Sequence, residues 1–545
     1  MTVAVGASFA CHRPRGRVAR RSRREDYLDD AIRSLRSRKA EDPEPCAIVI
    51  FGAFGDLTKR LVMPAIYNLG CEKVLPEKVA VIGVDLAEGD AESWKKHLHD
   101  MLESFIGNSS SEFDVDHIEE DTWKKLADTM QYVRGDMTKP DLYKDIGAAL
   151  EKAGFAQGNA IFYFAIADRF FATVAQQLGE AKLTKQGEKN DGVPSFWRRV
   201  VVEKPFGHDV PSAIALNKSL LQTLEEDQIF RIDHFLGKET VQSIMTFRFA
   251  NGMFEPIWNR DRISSVQITA AEVVGVEQRG KFYEPTGALR DMIPNHLFTL
   301  MAMVAMEPPV TFDAKGIRDR KAELFTSMPP LKPEDAVRGQ YTAGEVQGKQ
   351  CNAYRSEPNV SPQSNTETYV AMRVGIDSWR WAGVPFYLRT GKHMTDRLTE
   401  IAIRFKPAPT AHFQGTDIEE LSANWLVVRI QPQEGISLQF EVKRPGPDVE
   451  VATVRMDFAY KDFFKHEPNV GYETLLYDVM IGDATLFNRA DMVEDAWRVV
   501  QPILDAWKTG EPAMYASGSA GPKESDEMLA REGNHWRPVE GFIKK

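Results

Sequence analysis

The sequence predicts an α/β domain with a parallel sheet, followed by an α+β domain with a large, mainly antiparallel sheet. Two patterns in the 545 residues carry this prediction. Short apolar strand segments alternate with helical segments up to about residue 233, as in a parallel sheet covered on both faces. Beyond that residue, apolar and polar residues alternate one by one, as in antiparallel strands. We expect an extension over 1–45, domains over 46–233 and 234–525, and a C-terminal tail over 526–545.

The strands and helices of both domains follow from these patterns. The first domain begins with the strand CAIVIF at Cys46 and continues with KVAVIGVD, QYVRGD, NAIFYFAIA and RRVVV, with a helix from Ala91 to Phe105. In the second domain we predict strands for SSVQITAAE, TETYVAMRVGI, TEIAIRFK, NWLVVRIQP and GISLQFEVKR. A helix from about Gly287 to Met306 interrupts them, and Pro294 should kink it because proline lacks a backbone NH donor.

The composition excludes several classes of protein. With 43% hydrophobic and 27% charged residues, it is that of a globular enzyme and not of a disordered chain. No apolar run approaches the roughly 20 residues that span a bilayer, so we predict no membrane helix. The four cysteines form no CxxC pair, which argues against a disulfide framework or a structural zinc site and suits a cytoplasmic protein.

The charge is unevenly distributed along the chain. The net charge is −11, but residues 1–24 hold seven arginines and no acidic residue, so the rest of the chain carries −18. Such an acidic body repels nucleic acid, so a phosphate-bearing partner should be a small ligand in a local cationic pocket. The arginine run is typical of a transit peptide, an RNA-binding arm or a disordered extension, and we favour the last.

A glycine-rich turn follows the first strand and opens a helix, which predicts a Rossmann-like site for the pyrophosphate of a dinucleotide. Glycines also occur in such turns for steric reasons alone, so this alternative stays open. Asp85 ends the second strand, where a carboxylate accepts the ribose hydroxyls of NAD, or else it is a solvent-facing turn residue. The candidate cofactor residues of the turn are Gly52, Ala53, Phe54, Gly55, Asp56, Leu57, Thr58 and Lys59.

Polar residues with catalytic chemistry gather at the ends of later strands. Lys204 follows three valines at the carboxyl edge of the parallel sheet, where substrates bind, although a plain surface lysine would fit the same position. In the segment RIDHFLGKE, Asp233 could orient a histidine as a base and Lys238 could hold an anion. His296 lies on the predicted kinked helix in an unusually polar stretch, whereas a single helical histidine is more often a satisfied core residue.

Six motifs in order resemble the glucose-6-phosphate dehydrogenase family from about Cys46 nearly to the C-terminus. They are EKPFG, RIDHFLGKE, GALRDMIPNH, IDSWRWAGVPFYLRTGK, RIQPQEGI and GDATLFNRADMVEDAW. The resemblance implies oxidation of β-D-glucose 6-phosphate at C1 to the lactone, the first step of the oxidative pentose phosphate pathway. It further implies hydride transfer to NADP or NAD without a metal. Because a large exposed antiparallel sheet must cover its face, we expect a homodimer or homotetramer, and the charge and composition predict neither a nucleic acid nor a membrane partner.

The resemblance also assigns roles to individual residues. His296 is the general base and Asp233 orients it. Lys204 contacts both substrate and nicotinamide, and the turn over 52–59 holds the pyrophosphate. The remaining substrate residues implied are His234 and Lys238 for the phosphate, and Glu272, Asp291, Lys392 and Arg397 for the sugar and its neighbouring groups.

Several positions depart from the family pattern. Phe235 replaces a tyrosine, which predicts a modest loss of phosphate affinity. The arginine with which the family reads NADP after the second strand is absent, and the strand ends in Asp85. Ala167-Asp168 replaces a proline pair and adds a negative charge near the expected cofactor site. Because these carboxylates would repel a 2′-phosphate, we expect NAD use or dual use. Two positions of the animal enzymes' second, structural NADP site are occupied by uncharged side chains, so no structural NADP is expected. These two residues are Leu398 and Ala402.

Two rival functions are weighed against this one. One is another sugar or polyol dehydrogenase that shares the Glu-Lys-Pro motif but lacks the phosphate-binding segment HFLGK. The other is a non-catalytic sensor that binds a nucleotide, or nucleic acid through its arginine-rich arm. Because Lys204, Asp233 and His296 form a full acid-base set, the sequence favours an enzyme.

Overall fold

A computed structural model describes residues 41–107, 113, 115–190, 192–409, 421–464 and 470–539. The predicted arginine-rich extension falls almost entirely on residues 1–40, outside this described part, as do the last six residues of the predicted tail. No helix among the described residues is both long and apolar enough to cross a lipid bilayer.

The first sheet has six parallel strands in the described chain, in the order β3-β2-β1-β4-β5-β6. Every residue of the central strand β1 is fully buried, as expected for a strand covered by helices on both faces. The predicted parallel sheet is confirmed. Its strands are β1 Cys46–Phe51, β2 Val79–Asp85, β3 Met130–Arg134, β4 Asn159–Phe164, β5 Arg198–Val202 and β6 Ile229–Arg231.

The helices between these strands begin at recognisable caps. The carboxylate of Asp90 accepts from the Ser93 backbone NH at 2.9 Å at the start of α2, which confirms the predicted helix there. Asp209 and Ser212 form the same type of cap on α6. A π-helical turn, Thr58–Val62, precedes α1. The helices are α1 Met63–Cys71, α2 Ala91–Phe105, α3 Glu120–Asp128, α4 Pro140–Lys152, α5 Phe171–Glu180 and α6 Val210–Leu220.

The second sheet has nine strands within the described ranges, in the order β14-β13-β12-β11-β7-β10-β9-β8-β15. It is mainly antiparallel, as predicted, but β10 pairs with β7 and β15 pairs with β8 in parallel. The two strands of each parallel pair lie far apart in sequence, because a short hairpin can join only antiparallel strands. The strands are β7 Ile263–Ala271, β8 Ala336–Thr342, β9 Tyr369–Val374, β10 Phe386–Gly391, β11 Leu398–Phe405, β12 Trp425–Gln431, β13 Gly435–Lys443, β14 Val451–Ala459 and β15 Ala513–Ala516.

The helix predicted from Gly287 to Met306 is interrupted at its proline. A π-helical turn over Ile293–Leu297 separates two α-helices, and Pro294 lies inside that turn. The predicted disruption of the helix is confirmed, and it takes the form of this π-helical turn. The helices of this domain are α7 Glu239–Ala250, α8 Gly287–Met292, α9 Phe298–Ala305, α10 Ala314–Thr326, α11 Glu473–Ile481, α12 Ala490–Ala506 and α13 Lys523–Ala530.

Candidate active site

A cleft of about 740 Å³ lies at the carboxyl edge of the parallel sheet. Its lining carries eight lysines and arginines against three aspartates and glutamates, so the cleft is cationic although the chain is acidic. This distribution suits a small anionic ligand. The predicted residues in the lining are Lys204, His234, Lys238, Glu272, Asp291, His296, Lys392 and Arg397.

The fold explains why these residues meet. Lys204 lies two residues beyond β5, and Asp233 lies two residues beyond the neighbouring strand β6, so both lie at the same sheet edge. Asp291 comes from α8 and His296 from the π-turn after it. The second sheet supplies Glu272, Lys392 and Arg397 directly beside the ends of β7, β10 and β11.

A buried carboxylate, that of Asp233, pairs with the imidazole of His296, which lines the cleft. His296 Nδ1 lies 2.6 Å from Asp233 Oδ1, and both side chains are 1% exposed. Although burial opposes it, the charge and hydrogen bond of His296 hold the pKa of Asp233 well below its usual range. The ionised carboxylate can only accept, so Nδ1 donates the hydrogen, and in the neutral form of the ring Nε2 carries the lone pair.

Lys204 faces this lone pair. Its Nζ lies 2.9 Å from His296 Nε2 and donates to Asp291 Oδ1, also at 2.9 Å. Burial would lower the pKa of Lys204, but the adjacent Asp291 carboxylate raises it above the ordinary value. The pKa of Asp291 is correspondingly low, despite burial, because of the Lys204 charge. A substrate hydroxyl that binds at Nε2 would therefore displace the Lys204 ammonium group, which Asp291 would still hold nearby.

One end of the cleft combines a neutral histidine with a lysine. Burial and the nearby charges of His296 and Lys204 hold the pKa of His234 well below its usual value. Its ring lies edge-on to that of His296, with 4.7 Å between centroids. Lys238 directly precedes α7 and lines the same cleft. Together these groups can bind a phosphate by hydrogen bonds and by charge.

Phe235 contributes to the base as well as to the cleft wall. Its ring stacks on the His296 imidazole with centroids 4.3 Å apart and planes inclined by 20°. Its backbone NH donates to Asp233 Oδ1 at 3.0 Å. In sequence Phe235 looks only like a phosphate-site substitution, whereas in the structure it contacts both members of the Asp233–His296 pair.

The opposite wall is polar and partly ion-paired. Lys392 donates to the carboxylate of Glu272, and its Nζ lies 5.4 Å from the centre of the Tyr283 ring. Arg397 donates to Gln431 Oε1 at 2.6 Å. Four further cations in the lining were not recognised as site residues from the sequence. Two of them belong to the RGK triplet between β7 and α8, which is the one local pattern that could have indicated them. These cations are Arg169, Arg279, Lys281 and Arg290.

The glycine-rich turn lies beside the cleft, and its residues, all described, do not line it. Gly52 has φ +86°, and a Cβ there would lie 2.2 Å from the backbone oxygen of Ala165, so sterics alone require this glycine. Thr58 Oγ1 donates to the Gly52 carbonyl at 2.8 Å. Because β1 pairs with β4, the turn adjoins Asp168, which does line the cleft.

Asp85 is tied to this turn by one carboxylate oxygen and to its own loop by the other. One accepts from the Phe54 backbone NH at 2.9 Å and the other from the Ala87 NH at 3.2 Å. Arg134, opposite Asp85 in the neighbouring strand β3, pairs with Glu88 at 3.1 Å. The sequence analysis did not consider Arg134, because a strand partner is not visible from local sequence.

Comparisons with known proteins agree with this geometry. Two family models match, "Glucose-6-phosphate dehydrogenase, NAD binding domain" over residues 49–243 and "Glucose-6-phosphate dehydrogenase, C-terminal domain" over residues 245–537. The chain is 42% identical to glucose-6-phosphate 1-dehydrogenase of Aggregatibacter actinomycetemcomitans over 510 residues, which cover 92% of this chain and 99% of that protein. The Bacillus subtilis enzyme is 40% identical over 91% of this chain and 99% of its own.

Solved structures show the same architecture. A glucose-6-phosphate dehydrogenase in complex with its substrate glucose 6-phosphate matches with a TM-score of 0.81 at 29% identity, covering 92% of this chain and all of that one. The Mycobacterium avium glucose-6-phosphate 1-dehydrogenase matches with a TM-score of 0.76 at 35% identity, covering 91% and 99%. Together with the family models and the close relatives, these matches show that the chain belongs to the glucose-6-phosphate dehydrogenase family of oxidoreductases.

Proposed function

We propose that this chain oxidises β-D-glucose 6-phosphate at C1 to the 1,5-lactone, as the first step of the oxidative pentose phosphate pathway, with His296 as the general base. The observation that carries the proposal is the buried Asp233–His296 pair, whose 2.6 Å contact leaves Nε2 as the basic nitrogen facing the cleft. A base must lie within hydrogen-bond reach of the proton it takes, and His296 lines the cleft with its Nε2 beside Lys204 Nζ.

The groups of the chain divide the chemistry between them. The C1 hydroxyl takes the place of Lys204 Nζ at Nε2 and gives up its proton there. The C1–H bond breaks at the same time, its electron pair leaves as hydride, and C1 and its oxygen form the lactone carbonyl. A bound nicotinamide supplies the hydride acceptor. Asp233 stabilises the resulting imidazolium, so no free alkoxide is needed.

Substrate recognition is divided between the two ends of the cleft. We assign the phosphate to His234 and Lys238, because a neutral NH donor and an ammonium group lie there together. Lys204 and Asp291 reach C1 and its neighbouring hydroxyls, since their contacts adjoin the base. The opposite wall, with Glu272, Lys392 and Arg397, offers both donors and acceptors to the remaining sugar hydroxyls.

We propose that NAD is used at least as well as NADP. The turn over 52–59 would hold the pyrophosphate through its backbone NH groups, and Asp85 lies where the adenosine ribose would meet the sheet edge. The Asp85 carboxylate would repel a 2′-phosphate, whereas its lone pairs can accept ribose hydroxyls. Arg134 offers a cation nearby, but its pairing with Glu88 offsets that charge. This pairing supports NAD use and leaves dual use as the alternative.

We also propose that the reaction needs no metal and that no structural NADP is bound. Asp233, His234 and His296 offer ligand atoms within 4.8 Å of one another, but the ammonium group of Lys204, 2.9 Å from His296 Nε2, opposes a cation there. The expectation about structural NADP rests on Leu398 and Ala402, both buried in β11.

A homodimer or homotetramer is the assembly that we propose. Strand β14 ends one side of the second sheet and exposes Met456 by 62%, and Phe463 and Phe464 just after it are about half exposed. Apolar side chains at an open sheet edge are commonly covered by a second copy. Light scattering of the purified chain should therefore give a mass of two or four chains, and a monomer would contradict the proposal.

Initial-rate kinetics test the proposed reaction. Glucose 6-phosphate is supplied with NAD and NADP in separate assays, with glucose as the unphosphorylated control. We expect rapid reduction of NAD, a rate with NADP no higher, and little reaction with glucose. The variant His296→Asn should lose almost all kcat while still binding glucose 6-phosphate in calorimetry. Retention of kcat would refute His296 as the base, and strict NADP use would refute the role of Asp85.

A further inference from the structure

Directly before Lys204 lies a second buried carboxyl group, Glu203, which the mechanism above does not use. The residue is 7% exposed, and the Tyr163 hydroxyl donates to its Oε1 at 2.5 Å. Tyr472, from the segment before α11, also bonds to Glu203. The Tyr472 ring is parallel to that of His234, with planes inclined by 6° and centroids 6.3 Å apart. The carboxyl group is therefore linked to the cleft through two tyrosines.

The groups facing Glu203 come from four parts of the chain. Tyr163 belongs to β4, Lys204 follows it in sequence, Asp233 follows β6 and Tyr472 precedes α11. Burial raises the pKa of Glu203 to about 7, although the two tyrosine hydrogen bonds and the Lys204 charge act in the opposite direction. The negative charge of Asp233 adds to the increase. The protonation of Glu203 is therefore set jointly by its burial, the two tyrosine hydrogen bonds and the charges of Lys204 and Asp233.

We infer that Glu203 is a positioning residue of the base assembly, whose ionised carboxylate, held by Tyr163 and Tyr472, favours the imidazolium that His296 forms during the reaction. This inference rests on the proposed role of His296 as the base. Glu203 interacts with the charges of Lys204 and Asp233, both of which contact His296. A negative charge in such a buried group of charges lowers the energy of a developing positive charge on the imidazole. A protonated Glu203 gives no such stabilisation, so the rate should rise as this group loses its proton.

The variant Glu203→Gln tests the inference because it keeps the shape of the protonated acid at every pH. We expect the ratio of wild-type to variant kcat to lie near one at about pH 6 and to reach roughly tenfold at about pH 8, which corresponds to about one pK unit of stabilisation of the imidazolium. A purely structural role would lower kcat by the same factor at every pH. A ratio that does not change with pH would therefore overturn the inference.

The variant Tyr163→Phe is a second, independent test, because it should shift the pH at which kcat rises. It removes a hydrogen bond that favours the ionised carboxylate, so the pKa of Glu203 should rise and the increase in kcat should move to higher pH. Because this substitution removes only a hydroxyl group, it tests the ionisation of Glu203 with little risk to the fold. An unchanged or lowered midpoint would contradict the role of the Tyr163–Glu203 bond.

Lys321 is the matched control, because it is another buried group with a pKa shifted to about 7 and it interacts with the charge of Asp233. Lys321 lies on α10, and its Nζ donates to the Thr485 carbonyl at 3.2 Å. Lys321→Met should leave the pH-dependent increase in place. If Lys321→Met abolishes the increase and Glu203→Gln does not, the inference is overturned.

Infrared difference spectra between about pH 6 and pH 8 separate this inference from the proposed function. The wild type should show the loss of a protonated carboxyl band that Glu203→Gln lacks, whether or not His296 is the base. If the band titrates but the kcat ratio stays constant, the role of Glu203 fails while its ionisation stands. Absence of the band would overturn the inference directly.

Discussion

The substitution Asp233→Asn tests the proposed catalytic pair, Asp233 and His296, at its shortest contact. Asp233 Oδ1 and His296 Nδ1 are 2.6 Å apart and both side chains are 1% exposed. With an effective dielectric constant of about 20, a carboxylate and an imidazolium at this distance attract by about 6 kcal/mol. An asparagine carbonyl retains about 2 kcal/mol of this, because it still accepts a hydrogen bond from the charged imidazolium. The transition state should therefore lose about 4 kcal/mol, or about a thousandfold in kcat.

The assay is the initial rate of nicotinamide reduction at saturating glucose 6-phosphate, and the control is Asp168→Asn. Asp168 lines the same cleft on the turn Asp168–Phe170, so the control removes an equal charge at a distance from the base. We expect the control to keep kcat within about threefold, since an exposed charge at the cleft wall is screened by water. If Asp233→Asn keeps kcat within about tenfold of the wild type, or changes KM alone, the electrostatic role assigned to Asp233 is wrong.

Three further substitutions test other parts of the structure. Phe235→Tyr adds a hydroxyl at the cleft wall and should lower the KM for glucose 6-phosphate; an unchanged or higher KM in steady-state kinetics would contradict this. Asp85→Asn removes a charge while retaining a hydrogen-bond acceptor, so the ratio of kcat/KM for NADP to that for NAD should rise about tenfold, and no rise would exclude Asp85 as the discriminating residue. Gly52→Ala introduces a Cβ 2.2 Å from a backbone oxygen at φ +86° and should lower the melting temperature by several degrees. Gly147→Ala, where the nearest atom is 3.7 Å away, should leave that temperature unchanged or slightly raise it.

Much of the fold could be predicted from the sequence because the signals are local. The run of Val200, Val201 and Val202 is buried on both faces, and such continuous apolar runs are typical of parallel strands. Pro294 could be recognised as a break because a missing NH donor disrupts a helix wherever it lies. Lys204 and Asp233 could be placed at one sheet edge, since neighbouring parallel strands end on the same side.

Other features could not be predicted, since they depend on contacts between distant segments. Strands β7 and β10 pair in parallel rather than antiparallel, and no local pattern distinguishes the two. Arg134 reaches the coenzyme edge only because β3 lies beside β2. Arg279 and Lys281 look like ordinary surface cations in sequence, but they line the cleft.

The sequence by itself determined the fold class, the order of the strands along the chain and the residues at their carboxyl ends, because side-chain periodicity and chain connectivity are local properties. Only the tertiary structure decided which of these residues meet: that His296 Nδ1 lies 2.6 Å from Asp233, that Lys204 faces His296 Nε2, and that Glu203 is buried against Tyr163. Burial and charge proximity set the protonation of these groups, and both arise only when segments far apart in the chain pack together.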